Sequence, residues 1–474
     1  MSIGWKLHEG PLGPEDVVAP DERLSWPKTV GLGAQHVVAM FGATFVFPLL
    51  MGLNAQLAIM MSGIATICFL LIVKGRVPSY LGSSAAFVGG VAAIRAQGGD
   101  SATVTGAILV VGLVLTLVGI AIHFLGSKII HKVLPPVVTG AVVMLIGFNL
   151  APVVANVYWP QDQWVALATM AFAILCSVGL RGFMGRISIF LSLIFGTVLS
   201  WILDRVFGTI SSLDPGAGKI TEHFRVNWDG VLSAPWIGFP PRTTGVGASE
   251  IVGWHGPTFS AAAVLLVLPI VIALIAENTG HVKAVAEMTG SDLDCVMGKA
   301  IGADGFATVV ASAVGGSPTT TYAENIGVMA ATRVYSTAAY YVAAVVAIFV
   351  GLSPKFGALV AATPGGVLGG IVVILYGMIG LLGAKIWKEN DVDFANPINL
   401  VPAAAGIVIG IGNTSLVFSS TFSLSGIALG TIVTIGAYHI AHALAPEHMK
   451  NGASGAVVTV GGEGTQKDDD KVLH

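Results

Sequence analysis

Charged residues are scarce in this 474-residue chain, because Asp, Glu, Lys and Arg together make up only 10% of it. Soluble domains carry about 25% charged residues, so the composition excludes an ordinary soluble enzyme. Hydrophobic residues make up 54% of the chain, and the mean hydropathy is +0.83. The formal net charge of −3 shows no basic excess and therefore argues against nucleic acid as a partner.

Cysteine is nearly absent, and its three copies, Cys68, Cys176 and Cys295, have no spacing typical of a disulfide framework or metal site. Motifs of nucleophilic and metal-dependent hydrolysis, GxSxG and HExxH, are missing, as is a phosphate-binding loop ending in Gly-Lys-Ser/Thr. The sequence therefore predicts neither an enzyme nor a cofactor nor ATP-driven transport. An ion gradient is the energy source that remains.

Apolar segments of bilayer-spanning length, about 20 residues each, recur along the whole chain. In the first half they lie near 30–52, 55–73, 79–97, 102–125, 134–156, 163–180 and 187–207. In the second half they lie near 258–282, 297–314, 318–332, 336–352, 367–384, 398–412 and 425–444. This pattern predicts an all-α polytopic membrane protein with fourteen transmembrane segments.

The order of these segments divides the chain into two similar halves. Seven spans, a long connection and seven further spans indicate an inverted repeat. An odd number of spans places the second copy in the membrane with the opposite orientation. The chain is predicted to begin with a cytoplasmic tail (1–28), followed by the first seven-span repeat (29–207) and an extracellular connection (208–257). The second seven-span repeat (258–445) and a disordered cytoplasmic tail (446–474) complete it.

The distribution of basic residues sets the orientation. With the N-terminus in the cytoplasm, the connections on that side hold Lys74, Arg76, Lys128, Lys132, Arg181, Arg186, Lys283, Lys299, Arg333, Lys385 and Lys388. The short connections on the opposite side hold only Arg95 and Lys355. The positive-inside rule therefore predicts two cytoplasmic termini. Three tryptophans of the 208–257 connection are expected at the outer membrane surface: Trp228, Trp236 and Trp254.

The third segment of each half is too polar and Gly-rich for a lipid-facing helix. These stretches are SYLGSSAAFVGG at 79–90 and GGSPTTTYAENIG at 315–327. Non-helical backbone at membrane depth is tolerated only where it is buried in protein or lines a cavity. We expect two broken helices that meet near the midplane, with 83–86 opposite 321–324. The alternative is a pair of surface loops.

Two carboxylates, Glu277 and Glu324, follow apolar or small-residue sequence inside predicted spans. An acidic residue at the membrane centre costs about 2.5 to 3.5 kcal/mol on insertion scales, so such residues usually mark a substrate, ion or proton path. The alternative for each is a purely structural interhelical hydrogen bond. His281 lies four residues after Glu277, so the two share one helix face and can exchange a proton. This carboxylate and histidine point to protons as the coupling ion.

Other polar residues in the spans have more than one interpretation. Asp304 either carries protons or holds backbone amides of a broken helix. Gln35 and His36 in the first span, together with Asn325, are interpreted as structural polar residues, since lipid cannot supply their hydrogen-bond partners.

Several motifs resemble the nucleobase/ascorbate transporter family. The run ENIGVMAATR (324–333) is similar to the family signature, and Gln35–His36 resembles its Gln-His motif. VVAPDERL (17–24), SYLGSSAAFVGG (79–90), LPPVVTGAVVM (134–144) and TTYAENIGVMA (320–330) resemble the bacterial pyrimidine permeases of this family. The resemblance covers roughly residues 17 to 445 and is most specific in these short motifs.

This resemblance implies a core domain that carries the substrate and a gate domain against which it moves. It also implies uracil–proton symport, a homodimer and a place in the bacterial inner membrane. Glu277 and Glu324 match the substrate-binding carboxylates of the family, and His281 matches the histidine linked to proton coupling.

The same resemblance assigns further substrate contacts. Tyr376 matches a gate-side tyrosine, Tyr322 is grouped with the substrate residues, and the backbone at Ala85 and Ala323 matches the strand-like breaks that meet the carbonyl oxygens of the base. Ala85 stands where better-known uracil symporters have an aromatic residue, and Ala323 where they have Gly. A wider pocket leaves thymine, or a purine such as xanthine or urate, open as substrate. An anion transporter of related architecture is a third possibility, although two acids at the site would repel anions.

Overall fold

The computed structural model describes residues 4–8, 16–126, 134–181, 184–185, 187–214, 219–242, 253–419 and 422–450. Most of these residues are helical. The principal helices are α1 (Trp26–Leu50), α2 (Ala55–Ile72), α3 (Phe87–Ala96), α4 (Ser101–Leu125), α5 (Pro136–Phe148), α6 (Gln163–Gly179), α7 (Ser188–Phe207), α8 (Ala261–Val267), α9 (Ile270–Thr289), α10 (Asp294–Ser312), α11 (Ala323–Thr332), α12 (Thr337–Gly351), α13 (Pro354–Ala361), α14 (Gly365–Glu389), α15 (Pro397–Ile411) and α16 (Gly426–Leu444).

Short strands form two-stranded sheets between these helices. The strands are β1 (Lys6–Leu7), β2 (Glu22–Arg23), β3 (Leu81–Ser83), β4 (Ile210–Asp214), β5 (Lys219–His223), β6 (Thr319–Thr321), β7 (Ser415–Ser419) and β8 (Phe422–Ser425). The pairs β4–β5 and β7–β8 are hairpins. Strand β3, in the first half of the chain, pairs with β6 in the second half. The sequence pattern predicted neither hairpin.

The described residues contain eight helical segments that are long and apolar enough to cross a membrane, or nine if α12 and α13, bent by 83°, count as one span. Three shorter apolar helices, α3, α6 and α15, coincide with further predicted segments. The described part of the chain is therefore that of a mostly helical, multi-pass membrane protein.

Both weak segments are broken, as expected, into a strand followed by a ten-residue helix. The antiparallel pairing joins Leu81 to Thr321, Gly82 to Thr320 and Ser83 to Thr319. The expected register, with 83–86 opposite 321–324, is wrong. Residues 80–84 face 318–322 instead, because one further hydrogen bond extends the ladder at each end. The Ser84 amide donates to Pro318 O at 2.9 Å, and the Tyr322 amide donates to Tyr80 O at 3.0 Å.

The helices pack in two groups. In the first, α4 packs on α10, and α2 packs on both α10 and α12, with α1 alongside. In the second, α14 packs on α5 and α6, α6 on α7, and α15 on α16. Strand β3 contacts α1 and α2, while β6 contacts α9 and α10, so the strand pair lies within the first group.

Glycines allow α4 and α10 to approach closely. A Cβ atom added at Gly112 would lie 2.9 Å from the carbonyl oxygen of Gly305, and one added at Gly298 would lie 2.7 Å from that of Gly119. Small residues at such interfaces let membrane helices come into backbone contact. This contact fixes the helix that carries Asp304.

We expect Gly305→Ala to lower the thermal stability of the protein. The new methyl group would lie 2.6 Å from Gly112 O, and overpacking of this kind costs about 1–3 kcal/mol. Gly436→Ala is the matched control, since no atom lies within 4 Å of a Cβ there and alanine is the better helix former. Thermal unfolding in detergent checks this, and equal melting temperatures for the two variants would contradict the packing argument.

The N-terminal tail is anchored to the helices, which its polar composition did not predict. Val18 is fully buried; its amide donates to Arg333 O at 3.0 Å and its carbonyl accepts from Tyr335 N at 2.8 Å. The Trp5 indole donates to Thr337 Oγ1 at 2.9 Å. The tail is therefore hydrogen-bonded to the segment that directly follows α11 and to the start of α12. Residues 1–3 and 9–15 of the predicted 1–28 tail lie outside the described residues.

The other predicted connections are described in part. The disordered tail was expected from residue 446, but Glu447–Lys450 form a helical turn, and Asn396 Nδ2 donates to Met449 O at 2.7 Å. The turn is ordered because this contact ties it to the start of α15. The rest of that tail, 451–474, lies outside the described residues, as do 215–218 and 243–252 of the 208–257 connection and the basic residues Lys128, Lys132 and Arg186.

Candidate substrate site

Helix α9 carries three of the polar residues at the site. Pro269 has no amide proton to donate and separates α9 from α8, and Gly290, with φ of +60°, ends the helix in the left-handed conformation. Between these limits the spacing of four residues places Glu277 and His281 on one face, as predicted. Both side chains are half-buried, so they face neither lipid alone nor a closed core.

Strand β6 supplies hydroxyl groups to this face of α9. Thr320 Oγ1 donates to Glu277 Oε2 at 3.3 Å. Thr321 Oγ1 lies 2.7 Å from His281 Nδ1. Both neighbouring threonines of this short strand therefore reach α9. The proposed proton-coupling pair is therefore held by the broken segment itself.

Asp304 is fully buried on α10 and reaches the same cluster through Asn278. Asn278 Nδ2 donates to Asp304 Oδ2 at 2.7 Å and to the carbonyl of Leu274 at 2.9 Å. Asp304 Oδ1 has no hydrogen-bond partner among the described residues. The bonded partner of Asp304 is an amide side chain on α9, and both interpretations of Asp304 stay predictions.

Glu324 lies in the first turn of α11, where backbone N–H groups have no partners within the helix. The backbone breaks just before it: the Tyr322 hydroxyl donates to Ser83 O at 2.7 Å and accepts from Thr44 Oγ1 at 3.2 Å. Ala323 is exposed and Glu324 is half-buried, although β6 before them is fully buried. The start of α11 is therefore partly accessible, and Ala85, half-buried just before α3, stands at the corresponding break.

Residues expected to be structural join α1 to α11 and α12. Asn325 Nδ2 donates to the His36 carbonyl at 3.0 Å and lies 3.2 Å from His36 Nδ1. The His36 ring packs against the Tyr340 ring at a tilt of 35°, with centroids 4.3 Å apart. The Tyr340 hydroxyl donates to Asn325 O at 3.3 Å. Gln35 is half-buried beside this triad, and no hydrogen bond to it is seen among the described residues.

Tyr376 lies on α14, in the second group of helices. It is 3% exposed, and its hydroxyl has no hydrogen-bond partner among the described residues. No hydrogen bond joins its hydroxyl to Glu277, His281 or Glu324 in the part of the chain that the structure describes. The structure thus brings Glu277, His281, Asp304 and β6 together, and it leaves Tyr376 on the other helix group.

Sequence reasoning did not assign roles to Asn278, Thr320 and Thr321, which connect the acids and the histidine. A signal for them exists. The run TTT at 319–321 places β-branched hydroxyl residues in an extended segment shortly before Glu324. Asn278 is the single fully buried amide on α9, between the two residues already singled out.

The arrangement offers hydrogen-bond acceptors and donors side by side. Two carboxylates can accept from ring N–H groups, and unpaired amides at the starts of α3 and α11 can donate to carbonyl oxygens. A planar, neutral base with alternating N–H and C=O groups matches this set. An inorganic anion does not, since it would meet two acids.

Comparison with known proteins agrees with this chemistry. A family model named Xan_ur_permease, described as a permease family, matches residues 27–419. The protein named "Putative pyrimidine permease RutG" of Escherichia coli strain K12 is 43% identical over 88% of this chain and 90% of the relative. The uracil permease of Bacillus subtilis strain 168 is 34% identical over 90% of this chain and 93% of the relative.

Solved structures of similar fold are more distant in sequence. Murine Slc26a9, an anion transporter in the inward-facing state, superposes with a TM-score of 0.60 at 11% identity, over 89% of this chain and 69% of that protein. The transmembrane domain of the cyanobacterial bicarbonate transporter BicA gives 0.51 at 15% identity, over 87% and 96%. A second SLC26A9 structure gives 0.57 at 11% identity, and the chain spans 64% of its length. These likenesses concern the fold alone.

The family model covers most of the chain, including both broken segments, and the resemblance of the short motifs is confirmed. The chain belongs to this permease family, the nucleobase/ascorbate transporters.

Proposed function

We propose that the chain carries uracil, or a closely related pyrimidine base, into the cell together with protons. The observation that carries this proposal is the cluster formed by Glu277, His281 and β6 beside the N-terminus of α11. Its acceptors and donors match the edge of a pyrimidine base. The names of the relatives, pyrimidine permease and uracil permease, support the same substrate class.

In this proposal the two helix groups act as core and gate. Uracil binds between the broken segments of the core group, with Glu277 and Glu324 accepting from its ring N–H groups. The amides near Ala85 and Ala323 donate to its carbonyl oxygens, with Tyr322 packed behind them. Tyr376 closes the pocket from the gate group when the groups move against each other. Alternating access follows from that relative motion.

The topology that we propose has fourteen spans in two inverted seven-span repeats, 29–207 and 258–445. Each predicted span coincides with a helical element of the structure, which supports the count. The pairing of β3 with β6 supports the repeat, because it joins the third element of one half to the third of the other. We place both termini in the cytoplasm, the 208–257 connection outside, and a homodimer in the bacterial inner membrane.

The alternatives are a purine permease for xanthine or urate, which a site lacking an aromatic ring at Ala85 could admit, and an anion transporter. The fold of the solved neighbours is compatible with anion transport. The chemistry of the site opposes it, since Glu277 and Glu324 would have to lie beside a negative ion.

Uptake of radiolabelled uracil into proteoliposomes, with unlabelled bases as competitors, tests the proposal. We expect uracil to compete best, with thymine behind it, and xanthine, urate and bicarbonate to have no effect at the same concentration. Empty liposomes are the control. Stronger competition by xanthine or urate would assign a purine permease, and competition by bicarbonate would assign an anion transporter.

A further inference from the structure

Four side chains form a continuous hydrogen-bonded chain. It runs from α9 to β6, returns to α9 and ends on α10. His281 Nδ1 lies 2.7 Å from Thr321 Oγ1, and Thr321 Oγ1 lies 3.3 Å from Asn278 Oδ1. Asn278 Nδ2 lies 2.7 Å from Asp304 Oδ2. Asn278 and Asp304 are fully buried, so the two polar atoms of the Asn278 amide and Asp304 Oδ2 depend on these partners.

The direction of the bonds can be read from the end at Asp304. The Leu274 carbonyl can only accept, so the Asn278 atom that faces both this carbonyl and the Asp304 carboxyl group must be the NH₂ group of Asn278. The opposite atom of Asn278 is then its oxygen. That oxygen needs a donor, because an unsatisfied buried acceptor costs about 1–3 kcal/mol, and Thr321 is the donor in place.

A hydroxyl group has one proton, and Thr321 donates this proton to the oxygen of Asn278. Its oxygen can therefore only accept from His281, so the histidine nitrogen 2.7 Å away must carry a hydrogen. We infer that Asn278 and Thr321 are positioning residues that hold neutral His281 with its proton on Nδ1, leaving Nε2 as the site where a transported proton binds and leaves. This inference rests on the proposed proton coupling and adds to it the atom that exchanges the proton.

The exchange leaves the hydrogen bonds of Thr321 and Asn278 unchanged. An incoming proton bonds to the lone pair of Nε2 and gives the imidazolium, while Nδ1–H remains bonded to Thr321. The same Nε2–H bond breaks when the proton is released. The charged groups around the ring are Glu277 one turn earlier, Glu324 on α11, Asp304 beyond Asn278, and Lys385 of α14.

The first test reads the tautomer directly in the purified wild-type protein. Histidine labelled with ¹⁵N and ¹³C distinguishes a protonated from an unprotonated ring nitrogen, and correlation through Cγ and Cδ2 identifies which nitrogen is which. His281→Gln assigns the signal by difference. We expect neutral His281 to be protonated at Nδ1. Protonation at Nε2 would overturn the inference, whatever the protein transports.

Two variants of Thr321 then test the positioning role. Thr321→Val keeps the shape but removes the acceptor, so we expect the Nδ1–H preference to be lost. We also expect the midpoint of uptake against external pH to fall by about one unit, because the imidazolium loses a charge-assisted hydrogen bond. Thr321→Ser keeps the hydroxyl and should retain both properties.

The outcomes separate this inference from the proposed function. If Thr321→Val keeps the wild-type tautomer and pH midpoint, Thr321 does not position the histidine, and the inference fails. If wild-type uptake shows no dependence on protons while the Nδ1–H tautomer is found, the proposed coupling fails and the assignment of the tautomer stands. Where Thr321→Val does not fold, the wild-type spectrum still decides between the two nitrogens.

Discussion

Replacing Glu324 by Gln is expected to weaken uracil binding by about ten- to a hundredfold, because loss of a hydrogen bond to a buried charged group costs about 1.5–3 kcal/mol. The amide is half donor, so one of its two groups would face the ring N–H with a proton of its own. Glu324 is half-buried in the first turn of α11, so its carboxylate is accessible to a bound base.

Isothermal titration calorimetry of the purified variant with uracil measures this loss. Glu389→Gln is the matched control, since that carboxylate is exposed at the end of α14 and the change alters the net charge equally. The control should bind like the wild type. A Glu324→Gln protein with unaltered affinity and unaltered thermal stability would remove Glu324 from the substrate site.

Hydropathy predicted the helices and the two breaks because these features are local. A charge such as Glu277 stands out in an apolar segment, and an extended stretch such as 79–90 stands out by its Gly and Ser content. Both signals depend only on neighbours in sequence. The family resemblance added the choice of substrate, which composition alone could not give.

The register of β3 against β6 could not be predicted, because three residue pairs separated by more than two hundred positions are fixed by the packing around them. The bond from Asn278 to Asp304 depends likewise on how closely α9 and α10 approach. The position of Val18 could not be predicted either. Nothing in the polar tail indicates that this apolar residue is fully buried against the segment after α11.

Concentrative uptake is expected to disappear when Glu277 is replaced by Gln. The amide can still accept from Thr320, as the carboxylate does at 3.3 Å, but it cannot exchange a proton with His281 on the same helix face. One proton per substrate supports about fiftyfold accumulation for each 100 mV of membrane potential. Loss of coupling should bring that ratio to unity.

Proteoliposomes with an acidic exterior and a negative interior provide the measurement. Wild-type protein should accumulate uracil until a protonophore is added, and Glu277→Gln should show no accumulation before or after it. Glu287→Gln, ten residues further along α9 and exposed, is the control and should behave like the wild type. If the protonophore has no effect while removal of sodium stops uptake, the coupling ion is sodium, and Glu277 and His281 serve the substrate alone.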